Sequence, residues 1–389
     1  MGAVHAGVGL SQERVTAQAA RMATQEAMNQ AGLTRAGWSL CFFTPSHLAQ
    51  ADVVRRVVME ESGCLSFSGC SATGVIGCGE EVEGAPGMVV MVGASMAFET
   101  RSALLPQNGE GLRVFSQAPA RERGSKVLLA MPDSFRVDNR QLSQRMALEL
   151  AGVPIYGGGS TDDGTLGIAL QVGMEGVRAG SIALMGFYGD LEHSVGITQS
   201  CEAVGDPRFI TQAKDQVLIE LDGRPALGAF IEQGQTLGLE SMQDAATQLL
   251  FGFPLNPERP EFTGDRCLVR PLTGFDQHTK GLVIPHLMRP QSPMGFMHRN
   301  PVRAEADLKR MVRTAGEALG GPPEFGFYFD CAARGRDFYG RPGVDVAAIH
   351  EILGPFPLIG MFGGFEMATA QGQTHVYTYT GVLVLLRTK

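Results

Sequence analysis

The amino-acid sequence predicts an α/β protein of two packed α/β domains, built from repeated β-α-β-β modules with mixed sheets. The first observation is that strand-like apolar runs alternate with helical runs in three stretches of the chain. The second is that about 30 residues separate the first strand of each stretch from a glycine segment, close to the length of a β-helix-β crossover. The third is the length of 389 residues, which favours two or three domains over one.

The first elements of the chain precede the first module. Residues 4–10 form an apolar run that predicts a strand, and Ser11 is a suitable N-cap for a helix that ends at Gly32. The first module then has a strand at residues 39–43, a helix at 51–61, a glycine segment at 68–71 and a strand at 88–92. Apolar residues share one face of that helix, so we expect the helix to pack on the sheet.

The second and third modules repeat this order of elements. The second has a strand at residues 126–130, a helix at 139–150, a glycine segment at 156–160 and a strand at 181–185. The third has a strand at residues 325–329, a helix at 345–353, a glycine segment at 360–364 and a strand at 380–386. A β-helix-β crossover makes its two strands parallel, and we expect the glycine segments to form tight turns.

The sequence between the second and third modules has a different pattern. Residues 217–221 predict a strand, and a tight turn and a helix starting at Pro225 follow it. Short apolar runs between residues 249 and 297, in a proline-rich region, predict antiparallel strands, and a helix at 302–319 leads into the third module. We therefore predict an amino-terminal domain of residues 1–210 and a carboxy-terminal domain of residues 211–389.

Composition and charge exclude several classes of protein. The formal net charge is −8 and the basic residues form no cluster, whereas a nucleic-acid partner requires concentrated positive charge. No apolar run reaches the roughly 18 residues that span a bilayer, and no export signal begins the chain. We expect a cytoplasmic protein that binds neither nucleic acid nor membrane.

The seven cysteines are scattered without a Cys-x-x-Cys pair, which predicts neither a disulfide framework nor a metal site.

The familiar catalytic and nucleotide-binding motifs are absent from the sequence. Gly69 and Gly74 have the spacing of a phosphate-binding loop, but Val75 and Ile76 stand where Lys and Ser or Thr are required. Neither a Gly-x-Ser-x-Gly elbow nor a His-Glu-x-x-His pair occurs. We therefore predict no catalytic residues and a protein that is not an enzyme.

Two alternatives depend on a single reactive or ligating side chain. Cys331 is close in sequence to Arg334 and Arg336, whose charges favour a thiolate, so one alternative is an uncharacterised cysteine-dependent enzyme. The eight histidines are dispersed, but haem requires only one imidazole and an apolar pocket. The other alternative is therefore a haem-binding gas sensor, with His375 or His350 as the first candidate ligands. The main interpretation has no cofactor.

The candidate ligand site follows from the expected sheet topology. In open α/β sheets, ligands bind beyond the carboxyl ends of the strands, where small residues let backbone amides approach the ligand and charged side chains bind its polar ends. The simpler alternative is that the glycines only permit tight turns and close strand packing. The residues at these positions are Gly69, Cys70, Ser71, Gly158, Gly159, Ser160, Asp162, Asp163, Cys331, Arg334, Arg336, Phe362 and Glu366.

Several segments of the chain resemble a known family. The amino-terminal half has Gly-Cys-Ser-Ala-Thr-Gly at residues 69–74 and Gly-Gly-Gly-Ser-Thr-Asp-Asp-Gly at 157–164. The carboxy-terminal half has Val-Leu-Ile-Glu-Leu-Asp-Gly-Arg-Pro-Ala-Leu at 217–227, Cys-Ala-Ala-Arg-Gly-Arg at 331–336 and Thr-Gly-Val-Leu-Val-Leu at 380–385. In this order the segments resemble the FIST (F-box and intracellular signal transduction) proteins, with an amino-terminal and a carboxy-terminal FIST domain.

The resemblance implies a sensory protein of intracellular signal transduction that binds a small ligand, such as an amino acid or a similar metabolite. No kinase, cyclase or F-box segment is visible in the sequence, so we expect the signal to pass through a separate partner or through homo-oligomerisation. Some bacterial relatives resemble haem-based nitric-oxide sensors that control a histidine kinase. In the haem alternative, the expected partner is therefore a histidine kinase. The family has a Tyr-Gly-Glu turn. Its glutamate is present here as Glu366, whereas Phe365 stands in the place of its glycine. Tyr377 and Tyr379 stand where the family has a histidine segment, and they complete the candidate ligand-binding residues.

Overall fold

The computed structural model describes residues 4–116, 125–150 and 152–389. Its contacts divide the chain into two compact units, Met1–Ile197 with Leu308–Lys389, and Thr198–Asp307. The third predicted module thus belongs to the same compact unit as the first two. The predicted domain boundary after residue 210 stays a prediction. Within the described residues, no helix has both the length and the apolar character needed to cross a membrane.

The described residues form eight α-helices and 26 strands. The helices are α1 Thr16–Ala31, α2 Ala51–Ser62, α3 Asn139–Glu149, α4 Ala226–Thr236, α5 Met242–Gln248, α6 Pro301–Leu319, α7 Gly335–Tyr339 and α8 Val344–Leu353. The first thirteen strands are β1 His5–Ser11, β2 Trp38–Phe43, β3 Ser66–Ser71, β4 Gly74–Gly77, β5 Glu80–Glu83, β6 Met88–Ala94, β7 Phe98–Pro106, β8 Ser125–Pro132, β9 Ile155–Gly158, β10 Gln171–Gly173, β11 Gly176–Arg178, β12 Ser181–Gly189 and β13 Leu191–Gln199. The others are β14 Cys201–Lys214, β15 Val217–Leu221, β16 Arg224–Pro225, β17 Leu249–Pro254, β18 Cys267–Arg270, β19 Gly274–Phe275, β20 Leu282–Val283, β21 Pro293–Arg299, β22 Phe325–Cys331, β23 Leu358–Gly363, β24 Glu366–Ala370, β25 Gln373–Tyr377 and β26 Thr380–Thr388.

Three sets of strands in the first unit share one order of pairing. In the first sheet, β2 pairs parallel with β3 and antiparallel with β6. In the second sheet, β8 pairs parallel with β9 and antiparallel with β12. In the third sheet, β22 pairs parallel with β23 and antiparallel with β26. The predicted α/β class and the predicted mixed sheets are confirmed.

The glycine segments lie mostly within strands, and the prediction that they form tight turns is wrong for the first two, whereas the chain bends at Gly364, where the third segment ends. Gly69 lies inside β3, Gly158 ends β9 and Gly363 ends β23. A Cβ atom on Gly69 would lie only 2.1 Å from the carbonyl oxygen of Cys41 on the neighbouring strand β2. Glycine is required there because the two backbones approach each other closely, which is part of the simpler role considered from the sequence.

The first helix begins later than the sequence predicts. Ser11 ends β1, where it is paired with Met88 of β6, so it is held in the sheet and does not cap the helix. Helix α1 starts at Thr16 and ends at Ala31. Gly32 follows with a φ of 64°, a left-handed conformation that favours glycine, and the predicted end of the helix is confirmed.

The sheets of the first unit combine strands from distant parts of the chain. The third sheet has the order β13-β26-β22-β23-β4-β5, so the β4–β5 hairpin from the amino-terminal half pairs next to the carboxy-terminal strands β23, β22 and β26. The second sheet has the order β25-β24-β9-β8-β12-β7, so β24 from the carboxy-terminal end pairs with β9. Glu366 on β24 is thereby placed opposite Gly158 on β9.

An aromatic cluster joins the three sheets near the starting ends of their central strands. Trp38 begins β2 and Phe325 begins β22, while Phe187 of β12 is paired with Val127 of β8. The ring centroid of Trp38 lies 5.3 Å from that of Phe187 and 5.7 Å from that of Phe325. Large apolar rings therefore fill this end of the sheets. The predicted polar site residues lie toward the opposite, carboxyl ends.

The second unit contains an antiparallel sheet in the order β18-β17-β21-β14-β15-β20-β19, with β16 paired to β15. The pairings of β17 with β18 and β21 confirm the antiparallel strands predicted for this region. Helix α4 follows Pro225, as predicted, and Phe230 on α4 stacks on Phe251 at a centroid distance of 5.6 Å. None of the predicted site residues belongs to this unit.

Candidate functional site

The three glycine segments meet at one place in the first unit. The Ser71 hydroxyl donates to the carbonyl oxygen of Thr161 at 2.9 Å, and it lies 3.4 Å from the hydroxyl oxygen of Ser160. The backbone N–H of Gly364 donates to the carbonyl oxygen of Gly159 at 2.9 Å. Gly159 and Gly364, which are 205 positions apart in the sequence, are therefore joined by a direct hydrogen bond, and we call this region the glycine junction.

Replacing Gly69 with alanine is expected to lower the free energy of unfolding by about 2 kcal/mol, because the new Cβ atom would collide with a backbone oxygen. That oxygen belongs to Cys41 and cannot move without separating β2 from β3. Gly228→Ala is the matched control, since no atom lies within 4 Å of the new methyl group, and alanine favours a helix. Urea unfolding of the two variants measures the difference; equal stabilities would contradict the packing argument.

Glu366 is a completely buried carboxyl group beside the glycine junction. Its Oε2 accepts hydrogen bonds from the hydroxyl of Thr380 and from the backbone N–H of that residue, the latter at 3.2 Å. Its Oε1 has no hydrogen-bond partner. Burial raises the pKa of Glu366 to about 8, against the lowering effect of Thr380. The carboxyl group therefore holds a proton at neutral pH.

A glycine and a flexible methionine lie on one side of the Glu366 side chain, and a buried tyrosine lies on the other. Directly paired residues of an antiparallel ladder point to the same face, so the missing side chain of Gly158 leaves room next to Glu366. Met361 occupies that room, because a Cβ atom on Gly158 would lie 2.8 Å from the Met361 Cε. The Met361 sulfur lies 3.5 Å from the Cys70 Sγ. Tyr377, which is also buried, is paired with Glu366 on the other side.

The Cys331 thiol faces a carboxyl group and not the arginines that were predicted to activate it. Cys331 is buried beside Glu366, and the backbone N–H of Tyr379 donates to its Sγ at 3.3 Å. Burial, followed by the nearby Glu366, raises the pKa of the Cys331 thiol well above its usual range. The prediction of a stabilised thiolate is wrong, because Arg334 pairs with carboxylates and the Arg336 side chain is exposed.

Arg334 is the centre of a buried ionic cluster. Its guanidinium lies 2.8 Å from the Asp330 Oδ1 and 2.8 Å from the Asp345 Oδ2. It also donates to the hydroxyl of Tyr339 at 2.6 Å, and the hydroxyl of Tyr328 donates to the Asp345 Oδ2 at 2.5 Å. The guanidinium is therefore held in place by the protein's own groups, and Arg334 is not free to bind a ligand's anionic group.

The two aspartates of this cluster differ in protonation. Burial, followed by the charge of Asp345, raises the pKa of Asp330 well above its usual range. Burial also acts to raise the pKa of Asp345, but the Arg334 guanidinium and the hydrogen bonds to this carboxylate outweigh it and lower the pKa. The cluster thus contains one ionised pair and one protonated carboxyl group. The Asp330 Oδ2 and the Asp345 Oδ1 have no hydrogen-bond partner.

The β4–β5 hairpin contributes two further carboxyl groups next to this cluster. Glu81 accepts hydrogen bonds from the backbone N–H groups of Val346 at 2.8 Å and Gly343 at 3.0 Å, at the start of α8. Burial, followed by the charge of Asp345, raises the pKa of Glu81 to about 7. Glu83 accepts a hydrogen bond from a backbone N–H in α7 at 2.9 Å. The hairpin therefore holds the starts of both helices.

Asp162 and Asp163 hold the loop that follows the glycine junction. Asp162 accepts hydrogen bonds from the backbone N–H groups of Gly164 at 2.8 Å and Leu166 at 2.9 Å. Burial acts to raise the pKa of Asp162, but these backbone groups lower it. The exposed Asp163 accepts a hydrogen bond from the backbone N–H of Thr165 at 3.2 Å. Both carboxylates thus have a local structural role.

Two further predicted residues contribute no side chain to the glycine junction. The Phe362 ring belongs to the hydrophobic core of the third sheet, although its carbonyl oxygen accepts a hydrogen bond from Thr73 at 3.1 Å. The Arg336 side chain is exposed and lies 3.7 Å from Asp337. The predicted residues that lie beside Glu366 are Gly158, Cys331 and Tyr377. Cys70 contacts Met361, and the backbone of Tyr379 contacts Cys331.

The histidines considered as haem ligands lie on different elements. His375 is on β25, paired with Ala368, and its ring centroid is 6.1 Å from that of Tyr377. His350 is on α8, where burial lowers its pKa and its ring centroid is 5.8 Å from that of Phe356. Haem binding stays a prediction. Within residues 4–116, 125–150 and 152–389, no three His, Cys, Asp or Glu side chains are placed to bind a metal ion.

A surface groove of about 370 Å³ lies elsewhere in the first unit. It runs beside β7, between Leu65, Thr100 and Phe115. None of the predicted site residues lines this groove. The groove and the glycine junction are therefore separate features of the first unit.

Four residues of the site region were missed by the sequence analysis: Asp330, Asp345, Tyr328 and Met361. One signal was present, because Asp330 is a single acidic residue inside the apolar strand β22, and a charged residue in a buried strand requires a partner. The partner is Arg334, and the second carboxylate that Arg334 pairs with, Asp345, lies further on in helix α8. Met361 gave no signal, since methionine in a buried strand is an ordinary core residue.

Comparison with known proteins identifies the family. Residues 38–224 match the FIST N domain, and residues 229–369 match the FIST C domain. The chain is 25% identical over 388 residues to the uncharacterized protein MT0656 of Mycobacterium tuberculosis (strain CDC 1551 / Oshkosh), covering 97% of this chain and 98% of that protein. It is also 25% identical over 400 residues to the uncharacterized protein Mb0898c of Mycobacterium bovis (strain ATCC BAA-935 / AF2122/97), with the same coverage. The chain therefore belongs to the FIST family, with a FIST N domain followed by a FIST C domain.

Proposed function

We propose that this protein is a sensory protein of intracellular signal transduction that binds a small polar metabolite at the glycine junction and signals through a separate protein partner. The observation that supports this most strongly is the buried Glu366 carboxyl group, which has one oxygen without a partner. Buried polar groups without partners are costly and uncommon, and a ligand that pairs with the free oxygen removes the cost. The FIST domains support a sensory role.

The residues around Glu366 fit a site that adapts to a ligand. Gly158 leaves space on the face toward which Glu366 points, and the side chain that fills it is Met361. Methionine has three rotatable bonds and no branch, so it moves aside at a small cost. Movement of this one flexible side chain therefore opens space beside Gly158 and Glu366.

Thermal-shift measurements with amino acids and other small polar metabolites test the proposal. A compound at a hundredfold excess over its dissociation constant is expected to raise the free energy of unfolding by about 2.7 kcal/mol, because it binds the folded state alone. Gly158→Ala is expected to weaken the affinity for that compound at least tenfold. The new methyl group would approach only the flexible end of Met361 within 3 Å, so the variant is expected to fold.

Gly228→Ala serves as the control for the substitution, since it lies outside the first unit and contacts no other group. It is expected to respond to the same compound as fully as the unmodified protein does. A panel in which no compound stabilises the protein would refute the proposed function. A response that Gly158→Ala leaves unchanged would place the ligand away from Glu366.

A further inference from the structure

We infer that the ligand carries a primary or secondary ammonium group and that the free oxygen of Glu366 binds this group. The inference rests on the proposed function and names the chemical class of its ligand. It starts from the buried side-chain oxygens without partners on β22, β24 and α8, which are the Glu366 Oε1, the Asp330 Oδ2 and the Asp345 Oδ1. An ionised carboxylate only accepts hydrogen bonds, and an ammonium group only donates them.

The charges around Glu366 favour a cation over an anion. The nearest buried guanidinium, that of Arg334, is already shared between Asp330 and Asp345. A carboxylate or phosphate entering this region would meet the carboxyl groups of Glu366, Asp330 and Asp345. The guanidinium that could bind it is already paired. An ammonium group would instead meet an oxygen atom that lacks a hydrogen bond, and charge-assisted hydrogen bonds of this kind are the stronger ones.

The other groups that face Glu366 leave this oxygen to the ligand. Thr380 donates both of its hydrogen bonds to Oε2. The Cys331 thiol is adjacent, but a thiol is a weak donor and leaves Oε1 without a hydrogen bond. The titratable groups acting on Glu366 are Cys331 and Arg334. Neither of them supplies the strong donor that an ionised Oε1 requires.

Binding of an ammonium group is coupled to loss of a proton from Glu366. In the free protein the carboxyl group is protonated at neutral pH, since its pKa is about 8. When the ammonium ion binds, the carboxyl proton passes to the solvent and the carboxylate pairs with the cation. The apparent affinity is therefore expected to rise about tenfold per pH unit from pH 6 to 7 and to level off above pH 8.

Calorimetric titration with compounds of matched carbon skeleton tests the inference. The probes are primary amines from ethylammonium to octylammonium and 1,4-diaminobutane, with their N-acetyl derivatives and the corresponding carboxylates as neutral and anionic counterparts. At least one amine is expected to bind saturably, with proton uptake by the buffer, while its N-acetyl derivative and the carboxylate do not bind. Glu366→Gln, which keeps the shape of the protonated side chain, is expected to weaken amine binding at least tenfold and to abolish its pH dependence.

The exposed Glu258 supplies the control, and Glu258→Gln is expected to bind the amine as the unmodified protein does. Binding of a neutral or anionic metabolite from the wider panel, without binding of any amine, would overturn the inference and leave the proposed function standing. Binding of amines that Glu366→Gln leaves unchanged would overturn the role of Glu366. Absence of binding by every class of compound would overturn the proposed function together with the inference.

Discussion

Replacing Arg334 with leucine is expected to lower the free energy of unfolding by about 3 to 5 kcal/mol. The guanidinium is completely buried and pairs with Asp330 and Asp345, each at 2.8 Å. Leucine removes the positive charge and leaves the ionised Asp345 in an apolar interior. The cost of an uncompensated buried charge is larger than the net value of the pair itself. Unfolding in urea, followed by circular dichroism, measures the loss.

Arg336→Leu is the matched control for this substitution, because it makes the same change two residues away. The Arg336 side chain is 55% exposed, and its nearest acidic partner, Asp337, is 96% exposed. The expected change is within about 0.5 kcal/mol, as is usual for exposed positions. Adding Asp345→Asn to Arg334→Leu is expected to recover part of the loss, since it removes the unpaired charge. Equal losses for the two arginine variants would contradict the role of the ionic cluster.

The free energy of unfolding is expected to fall by about 2 kcal/mol from Glu366 alone as the pH rises from 6.5 to 8. Burial raises the pKa of Glu366 to about 8, so in this range the folded protein holds a proton that the unfolded chain has lost. Stability falls with rising pH wherever the folded state binds more protons. The pKa of Glu81 is raised to about 7, so this residue adds to the fall in the free energy of unfolding in the lower part of the pH range.

The lower limit of this pH window is set by the histidines. Burial lowers the pKa of His47 and lowers that of His286 to about 4, so the unfolded chain binds more protons at these residues below pH 6.5. Their contribution makes stability rise with pH up to about 6.5, which opposes the effect of the carboxyl groups there. As the pH rises above 6.5, His47 and His286 lose their protons in the unfolded chain as well, so their opposing contribution fades and the effect of Glu366 becomes the larger one.

The Glu366→Gln variant isolates the contribution of this carboxyl group to the pH dependence. Glutamine cannot ionise, so the decline between pH 6.5 and 8 is expected to become shallower by about 1 kcal/mol per pH unit on average. Glu258→Gln, which changes an exposed carboxylate, is expected to keep the slope of the unmodified protein. Urea unfolding at four pH values gives both slopes. An unchanged slope in Glu366→Gln would show that this carboxyl group is ionised in the folded protein.

The elements that the sequence predicted correctly are those with a strong local signal. The strand–helix–strand order around β2 and β3, and around β22 and β23, follows from apolar periodicity and from the length of the crossover. The antiparallel strands near residues 249–297 follow from short apolar runs in a proline-rich region. The helix after Pro225 follows from a start signal within a few residues. None of these predictions required knowledge of distant residues.

The candidate site was predicted less completely, because its residues are brought together by pairing between distant strands. The sequence pointed to Cys70, Gly158 and Glu366 separately, from their positions after apolar runs or from the family resemblance. It did not indicate that β24 would pair with β9 and place Glu366 opposite Gly158. It also gave Cys331 the wrong neighbours, since closeness in sequence to Arg334 does not place the thiol beside the guanidinium.

The sequence by itself determined the α/β class, most of the helices and strands, the family and the residue types available to the site. These properties depend on composition and on patterns within about 30 residues. Only the tertiary structure decided that the β4–β5 hairpin extends the third sheet, that the glycine segments lie mostly in strands and that Glu366 keeps a buried oxygen without a partner. The physical reason is that strand pairing and burial depend on which distant backbone and side chain each residue meets.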